Sequence, residues 1–316
     1  MIPIIKLRKI WFIFSATLVI LSWGFFLVWG LNLGIDFTGG SLLELEFLTA
    51  RPGSEEVREA LKDIDLGNVL VQAVGEKGMI LRFKEVGEED HQKIIKTIKE
   101  KFQPKVELEM GEGITAKPEF KIFEEKRFDS IGPVIGQELK SKTILAIIIA
   151  IIAIILYIGW SFRKISKPVA SWKYGVAAAI ALFHDVSITI GIFVILGKFY
   201  NWEIGAPFIA ALLTILGYSI NDTIVVFDRT RENLARYHEV EDFEGIVEKS
   251  INQTLVRSIS TSMTVILTLV AIFFFGGQSI KDFTLALIVG IFFGTYSSIF
   301  LASPLLVVWE KLKKKV

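Results

Sequence analysis

One ionisable residue stands where its type is costly. Asp222 lies in IGAPFIAALLTILGYSINDTIVVF, Ile204 to Phe227, a stretch otherwise long and apolar enough to cross a bilayer. Insertion scales place an ionised carboxylate there at roughly 2.5 to 3.5 kcal/mol, so such an acid usually serves an ion, a proton or a buried partner. On a helix, residues three or four apart share a face, so Tyr218, Ser219 and Asp222 point together, with Asn221 alongside. Downstream, Arg257, Thr261, Thr264 and Thr268 recur at helical spacing and draw one polar stripe. That stripe makes Arg257 the expected counter-charge to Asp222. Its threonines either line a wet route for a proton towards the carboxylate or bond back to their own helix carbonyls, and the sequence leaves both open.

A second pair, His184 and Asp185, falls near the middle of another apolar stretch. It either extends a proton relay, since His titrates in the physiological range, or forms a helix-to-helix hydrogen-bonding contact with a partner subunit. Asp228, Arg229, Arg231 and Glu232 follow the Asp222 segment as a charge cluster, either solvated or bracing the polar stretch that comes next. Other chemistries find little support. Cys is absent, the three His residues (His91, His184 and His238) lack metal-ligand spacing, and there is no phosphate-binding G-x-x-x-x-G-K-[ST] run. Asp222 and Asp228 sit on different faces of a helix, and no nucleophile and base constellation stands out, so the sequence predicts neither an enzyme nor a cofactor or metal.

The elements that must hold these residues are read from hydropathy. The 316 residues are 52% hydrophobic, and the mean hydropathy is +0.53. A span needs about 20 residues. Six stretches qualify or nearly do: Ile10 to Gly30, Thr143 to Trp160, Tyr174 to Gly197, Ile204 to Phe227, Thr261 to Ile280 and Thr284 to Trp309. Trp11, Trp160, Trp172, Trp202 and Trp309 lie near their ends, as an interfacial belt requires. The first stretch has no small-residue cleavage site and is expected to be retained as an anchor. Lys6, Arg8 and Lys9, then Arg163, Lys164, Lys167 and Lys173, then Lys311 and Lys313 to Lys315 fall on one side. The positive-inside rule therefore predicts both termini in the cytoplasm and residues 31–142 outside.

The expected architecture is a polytopic α-helical membrane protein with six transmembrane helices and one α+β ferredoxin-like extracytoplasmic domain between the first and second. Residues 1–30 form the cytoplasmic N-terminus and first helix, 31–142 the outer domain, and 143–316 a five-helix bundle with a cytoplasmic loop at 228–260 and a basic C-terminus. In the outer domain, strands are expected at Ser41 to Phe47, Val69 to Val74, Met79 to Phe83 and Val106 to Met110. A helix opens with Ser54 as N-cap and another covers Glu88 to Phe102, giving the order βαββαβ of a split ferredoxin-like sandwich. A further strand and helix are expected from Glu119. Gly39 and Gly40 suggest a tight turn ahead of the first strand. In the inner loop, Phe243, Ile246, Val247, Ser250, Ile251 and Thr254 recur at helical spacing, fitting either a helix lying on the membrane or one packed on its neighbours. Gly290, Gly294, Ser298 and Ala302 make a small-residue packing face whose mate, in this chain or a partner, the sequence does not identify.

Three blocks carry a resemblance: GIDFTGGSLLELEF from Gly34, GYSINDTIVVFDRTREN from Gly217 and NQTLVRSISTS from Asn252. With IGPVIGQEL from Ile131, the His184-Asp185 pair and the span count, the chain resembles the SecF family, membrane subunits of the bacterial and archaeal protein-export machinery, similar in fold to the RND transporters. The resemblance implies a cell-membrane protein that acts with SecD to promote export using the proton-motive force. The partners it implies are SecD, the SecYEG channel and YajC, and exported polypeptides. It also makes Asp222, Arg257, Asn221, Thr261 and Thr264 the expected coupling set. Two other readings remain at this stage: an RND-like small-molecule efflux half, for which 112 outer residues leave little room, and a passive scaffold for translocase assembly.

Overall fold

The computed structural model describes residues 2–102, 121–161, 170–237, 241–277 and 280–314. Ten α-helices and four strands follow in chain order among these residues. They are α1 (Arg8–Trp29), α2 (Ile35–Thr38), β1 (Gly40–Phe47), α3 (Ser54–Ala60), β2 (Leu70–Val74), β3 (Gly78–Phe83), α4 (Glu88–Phe102), β4 (Phe123–Ile131), α5 (Pro133–Ser161), α6 (Ser171–Tyr200), α7 (Ala206–Tyr237), α8 (Phe243–Phe275), α9 (Lys281–Ser297) and α10 (Ser303–Lys314). A π-helical turn, Ser298–Ala302, joins α9 to α10. The chain divides into two compact units, Leu33–Ser141 and a helical unit formed by Met1–Asn32 with Lys142–Val316.

Leu33–Ser141 carries a four-stranded antiparallel sheet in the order β2-β3-β1-β4. Alternation along β1 sends Leu43, Leu45 and Phe47 to one face, where they meet Met79 and Leu81 of β3 and Phe123 of β4. Val57 of α3 and Ile94 and Ile98 of α4 close that core. β4 pairs with β1 across a bulge at Glu44 and Leu45. It is the strand expected after Glu119, whereas the strand expected at 106–110 lies outside the described residues. Ser54 is the first residue of α3 rather than its cap: Gly53 takes the cap position, and its N–H donates to Glu56 Oε2 at 3.1 Å. The Gly39-Gly40 turn is real and tightly confined. Both residues have positive φ, +76° and +122°, and a Cβ on Gly39 would lie 2.8 Å from Pro133 Cα.

Among the described residues six helices are long and apolar enough to cross a membrane, the last running from Lys281 through the π turn to Leu312. The stretch expected as an inner loop is mostly helical, because α7 runs on to Tyr237 and α8 begins at Phe243. Asp242 caps α8, accepting from Gly245 N–H at 3.0 Å. Phe243, Ile246, Val247, Ser250, Ile251 and Thr254 are all buried. The apolar members of this stripe share a core with Val226, Phe227 and Leu234 of α7, so of the two readings it is the packed helix that the structure contains.

Residues 2–5, ahead of α1, dock on the same end of α8. Ile4 and Ile5 are fully buried, and their N–H groups donate to the two carboxylate oxygens of Glu248 at 2.6 and 2.9 Å. One turn earlier, Glu244 pairs with Arg8 at 2.6 Å and also with Lys311 of α10.

The small-residue face of α9 meets α7 of this same chain. A Cβ on Gly290 would collide with the Ile215 side chain, and one on Gly294 with Ser219. Ser298 then hydrogen-bonds Thr223, their hydroxyls 2.7 Å apart. Partners advance together in fours along both helices, so α7 and α9 run parallel.

Candidate functional site

The close approach of α7 and α9 buries two carboxylates at the centre of the helical unit. Asp222 is 5% exposed and faces α8 and α9. Its Oδ2 accepts from Ser262 Oγ of α8 and Thr295 Oγ1 of α9, each at 3.2 Å, and these two hydroxyls are 2.5 Å from one another. Each hydroxyl owns one proton, and Thr295 is also within reach of Ile291 O at 3.0 Å. A hydroxyl pair this close settles into a donor and an acceptor, which leaves one of the two protons for the carboxylate. Ser258 lies one turn before Ser262 and presents its buried hydroxyl towards the same carboxylate, without forming a hydrogen bond within the described residues.

Asp185 of α6 is fully buried beside this cluster. Ser219 Oγ of α7 donates to its Oδ2 at 2.6 Å, and Ser297 Oγ of α9 reaches the same oxygen at 2.9 Å. His184 Nδ1 stands 2.9 Å from the other oxygen, Oδ1. The pair read as either a relay member or a contact with a partner subunit lies inside this chain, where Asp185 joins three of its helices.

Arg257 is placed differently from the expectation. It is exposed and forms no ion pair with Asp222. It opens instead onto a groove lined by Ile224, Val225, Asp228, Arg229, Glu232, Gln253 and Thr254. The reason is angular. On α8 the inward positions are Ser258 and Ser262, and Arg257 stands about 100° away from Ser258 around the helix. Thr261, Thr264 and Thr268 share the outward side, and their hydroxyls bond back to Arg257 O, Thr261 O and Thr264 O. Asn221 is exposed on α7, and Tyr218 is half-buried.

Past Asp222, the charge cluster pairs largely within α7. Arg229 meets Glu232 at 2.6 Å and Arg231 meets Asp228 at 2.7 Å. Arg229 also reaches across to Gln253 Oε1 of α8 at 2.7 Å, and Asn233 joins that amide oxygen and Ser250 at 2.9 Å. This polar strap ties the two long helices together. Among the described residues, no group of three or more His, Asp or Glu is arranged to hold a metal ion.

Ser262 and Thr295 are the direct neighbours of Asp222 that the sequence reading missed. Ser258 and Ser262 are four apart, so a second helical stripe was present beside the threonine one. Nothing in Thr295 alone distinguishes it from the other hydroxyls of α9.

The family model described as protein export membrane protein SecD/SecF, C-terminal, matches residues 114–312, and the SecD/SecF GG motif matches residues 24–47. The protein translocase subunit SecF of Thermobaculum terrenum is 44% identical over 98% of this chain and 94% of its own length. That of Anaerolinea thermophila is 38% identical over the same shares. A crystal structure of SecDF, a translocon-associated membrane protein from Thermus thermophilus, superposes with a TM-score of 0.78 at 32% identity; the match covers 97% of this chain and 38% of that longer one. A second SecDF structure, in a super-membrane-facing form, gives 0.62.

Proposed function

The chain belongs to the SecD/SecF family of protein-export membrane proteins, and from that premise we propose that Asp222 is the group through which a transmembrane ion gradient drives its work. It is a SecF-type subunit of the protein translocase, a multi-pass membrane protein acting in protein export. We read residues 31–142 as a ferredoxin-like domain on the outer side, both termini as cytoplasmic, and the role as coupling rather than catalysis. A SecD subunit is the proposed partner, with the SecYEG channel, YajC and emerging polypeptides as further contacts.

The observation that carries the coupling reading is the surroundings of Asp222: a buried carboxylate held by hydroxyls, without a cation bonded to it. A static buried charge is normally compensated by an opposite one. Hydroxyls suit a group that changes charge, because the same O–H can donate to a carboxylate or accept from a carboxylic acid. Binding a proton or a small alkali cation then shifts the helix packing only by as much as the two packings differ in affinity for it. Each charge crossing supplies about 2.3 kcal/mol per 100 mV, enough for one or two ions to drive a modest reorientation. We propose Arg257, Asn221, Thr261 and Thr264 as the outward side of the same machinery, where α7 and α8 present polar groups at the surface of this chain.

The test is export in sealed vesicles with imposed proton or sodium gradients. Asp222→Asn is expected to leave the assembled complex intact and abolish the gradient-dependent part of export. Full gradient dependence with Asn at this position overturns the reading. The arm that loses its effect identifies the ion.

A further inference from the structure

The coupling reading leaves Asp185 without a task, although among the described acids of the helical unit it is the most deeply buried. Its two serine partners are placed with consequence. Ser219 precedes Asp222 by three residues on α7, hence on the same face. Ser297 follows Thr295, the α9 hydroxyl that holds Asp222, by two. One side chain of α6 thus grips both helices within a turn of the residues that surround Asp222.

We infer that Asp185 is a positioning residue: by accepting hydrogen bonds from Ser219 and Ser297 it fixes the register of α7 against α9, and with it the hydroxyl shell of Asp222. The inference rests on the coupling reading for its functional meaning, though not for its geometry. Interlocked side chains fix the offset of two parallel helices to the nearest notch, and O–H to carboxylate bonds, being directional and short, hold it more closely within that notch. The shell they protect has little slack, since both bonds to Asp222 are already 3.2 Å long, beyond the usual O–H···O range. A relative shift of a few tenths of an ångström would detach Thr295 from the carboxylate.

His184 completes the joint. Its ring stacks on Tyr296 at 5.9 Å between centroids and meets Phe293 edge-on at 6.3 Å, which leaves Nδ1 facing Asp185. Its Nε2 is buried with no hydrogen-bond partner among the described residues, so Asp185 is the ring's one polar attachment. His184 on α6 lies against Asp185 and Tyr296 on α9 stacks on its ring, while Asp222 has Arg257 on α8 and the half-buried Tyr218, one turn away on α7, in its neighbourhood.

The experiment uses the full chain assembled with its partner subunit in membrane vesicles. Dicyclohexylcarbodiimide, an apolar reagent for protonated carboxyl groups, is applied from about pH 5 to about pH 9, and labelling at Asp222 is read by mass spectrometry. Asp185→Asn is expected to displace the midpoint of Asp222 labelling by at least about 0.5 pH unit and to lower gradient-driven export several-fold. Ser219→Ala, which removes one hydroxyl and adds no bulk, moves the midpoint in the same direction by less, and it serves if Asp185→Asn does not assemble. In the double variant the midpoint lies where Asp185→Asn alone puts it, because both changes cut one linkage. Should Asp222 label identically in the variants and the unaltered chain, the positioning role is wrong, whatever happens to export. Should the midpoint move while gradient-driven export is unchanged, the positioning role stands and the coupling role of Asp222 falls.

Discussion

Ser219 and Gly294 meet with no room between them: a Cβ added to Gly294 would lie 2.8 Å from the Ser219 Cβ and 3.3 Å from its Cα. This contact sits at the level of Asp185 and one turn from Asp222, so any added volume pushes apart the two helices that carry the site.

Gly294→Ala is therefore expected to destabilise the helical unit by about 1 to 3 kcal/mol, the usual range for overpacking a tight core. Thermal unfolding of the purified chain measures it. The substitution should also reduce gradient-driven export without touching a titratable group. Gly217→Ala is the control, because nothing lies within 4 Å of a Cβ at that position.

Arg257→Gln should leave the stability of the isolated chain within about 0.5 kcal/mol of the unaltered one, since an exposed side chain without a partner contributes little to the fold. Melting in detergent is the measurement. A loss well above that value would mean that the guanidinium reaches Asp222 within a single chain, contrary to its position on the outward side of α8.

Glu248→Ala removes the acceptor of two main-chain N–H groups ahead of α1. Hydrogen bonds to a charged group contribute about 1.5 to 3 kcal/mol, and here the buried Ile5 N–H would be left unpaired while the Ile4 N–H would keep only its turn bond to Ile2 O at 2.9 Å. Residues 2–7 should detach from α8, and trypsin should cut after Lys6 several times faster. Unchanged cutting would show that burial of Ile4 and Ile5 suffices to hold the segment.

The spans were legible because apolar composition over about 20 residues is a one-dimensional property that tertiary contacts cannot disguise. Asp222 was legible for the same reason, as an exception within such a run. Its surroundings were not. Which of two stripes on α8 faces inward depends on how the helix is rotated, and both Arg257 with its threonines and Ser258 with Ser262 have helical spacing. The charged residue drew the eye to the outward stripe, whereas the bundle buries the small hydroxyls that let α8 approach α7. Asp185 illustrates a second limit: its partners Ser219 and Ser297 are 34 and 112 positions away, and no local pattern marks such a meeting. Within 228–260 the helix was legible from its apolar stripe, but its continuity with the neighbouring spans was not, because polar sequence ends an apolar run without ending a helix.

The parallel contact of α7 and α9 has a mechanical corollary. Ile215, Ser219 and Thr223 fall into successive notches at Gly290, Gly294 and Ser298, spaced about 6 Å apart at about 1.5 Å per residue. A toothed rod on a toothed rack rests only at whole teeth. Displaced by one tooth, Ile215 would drop into the hollow of Gly294 and Ser219 would face Ser298, while every intermediate offset sets a side chain on a ridge. If this pair ever travels along its length, the smallest stable stroke is set by the tooth spacing.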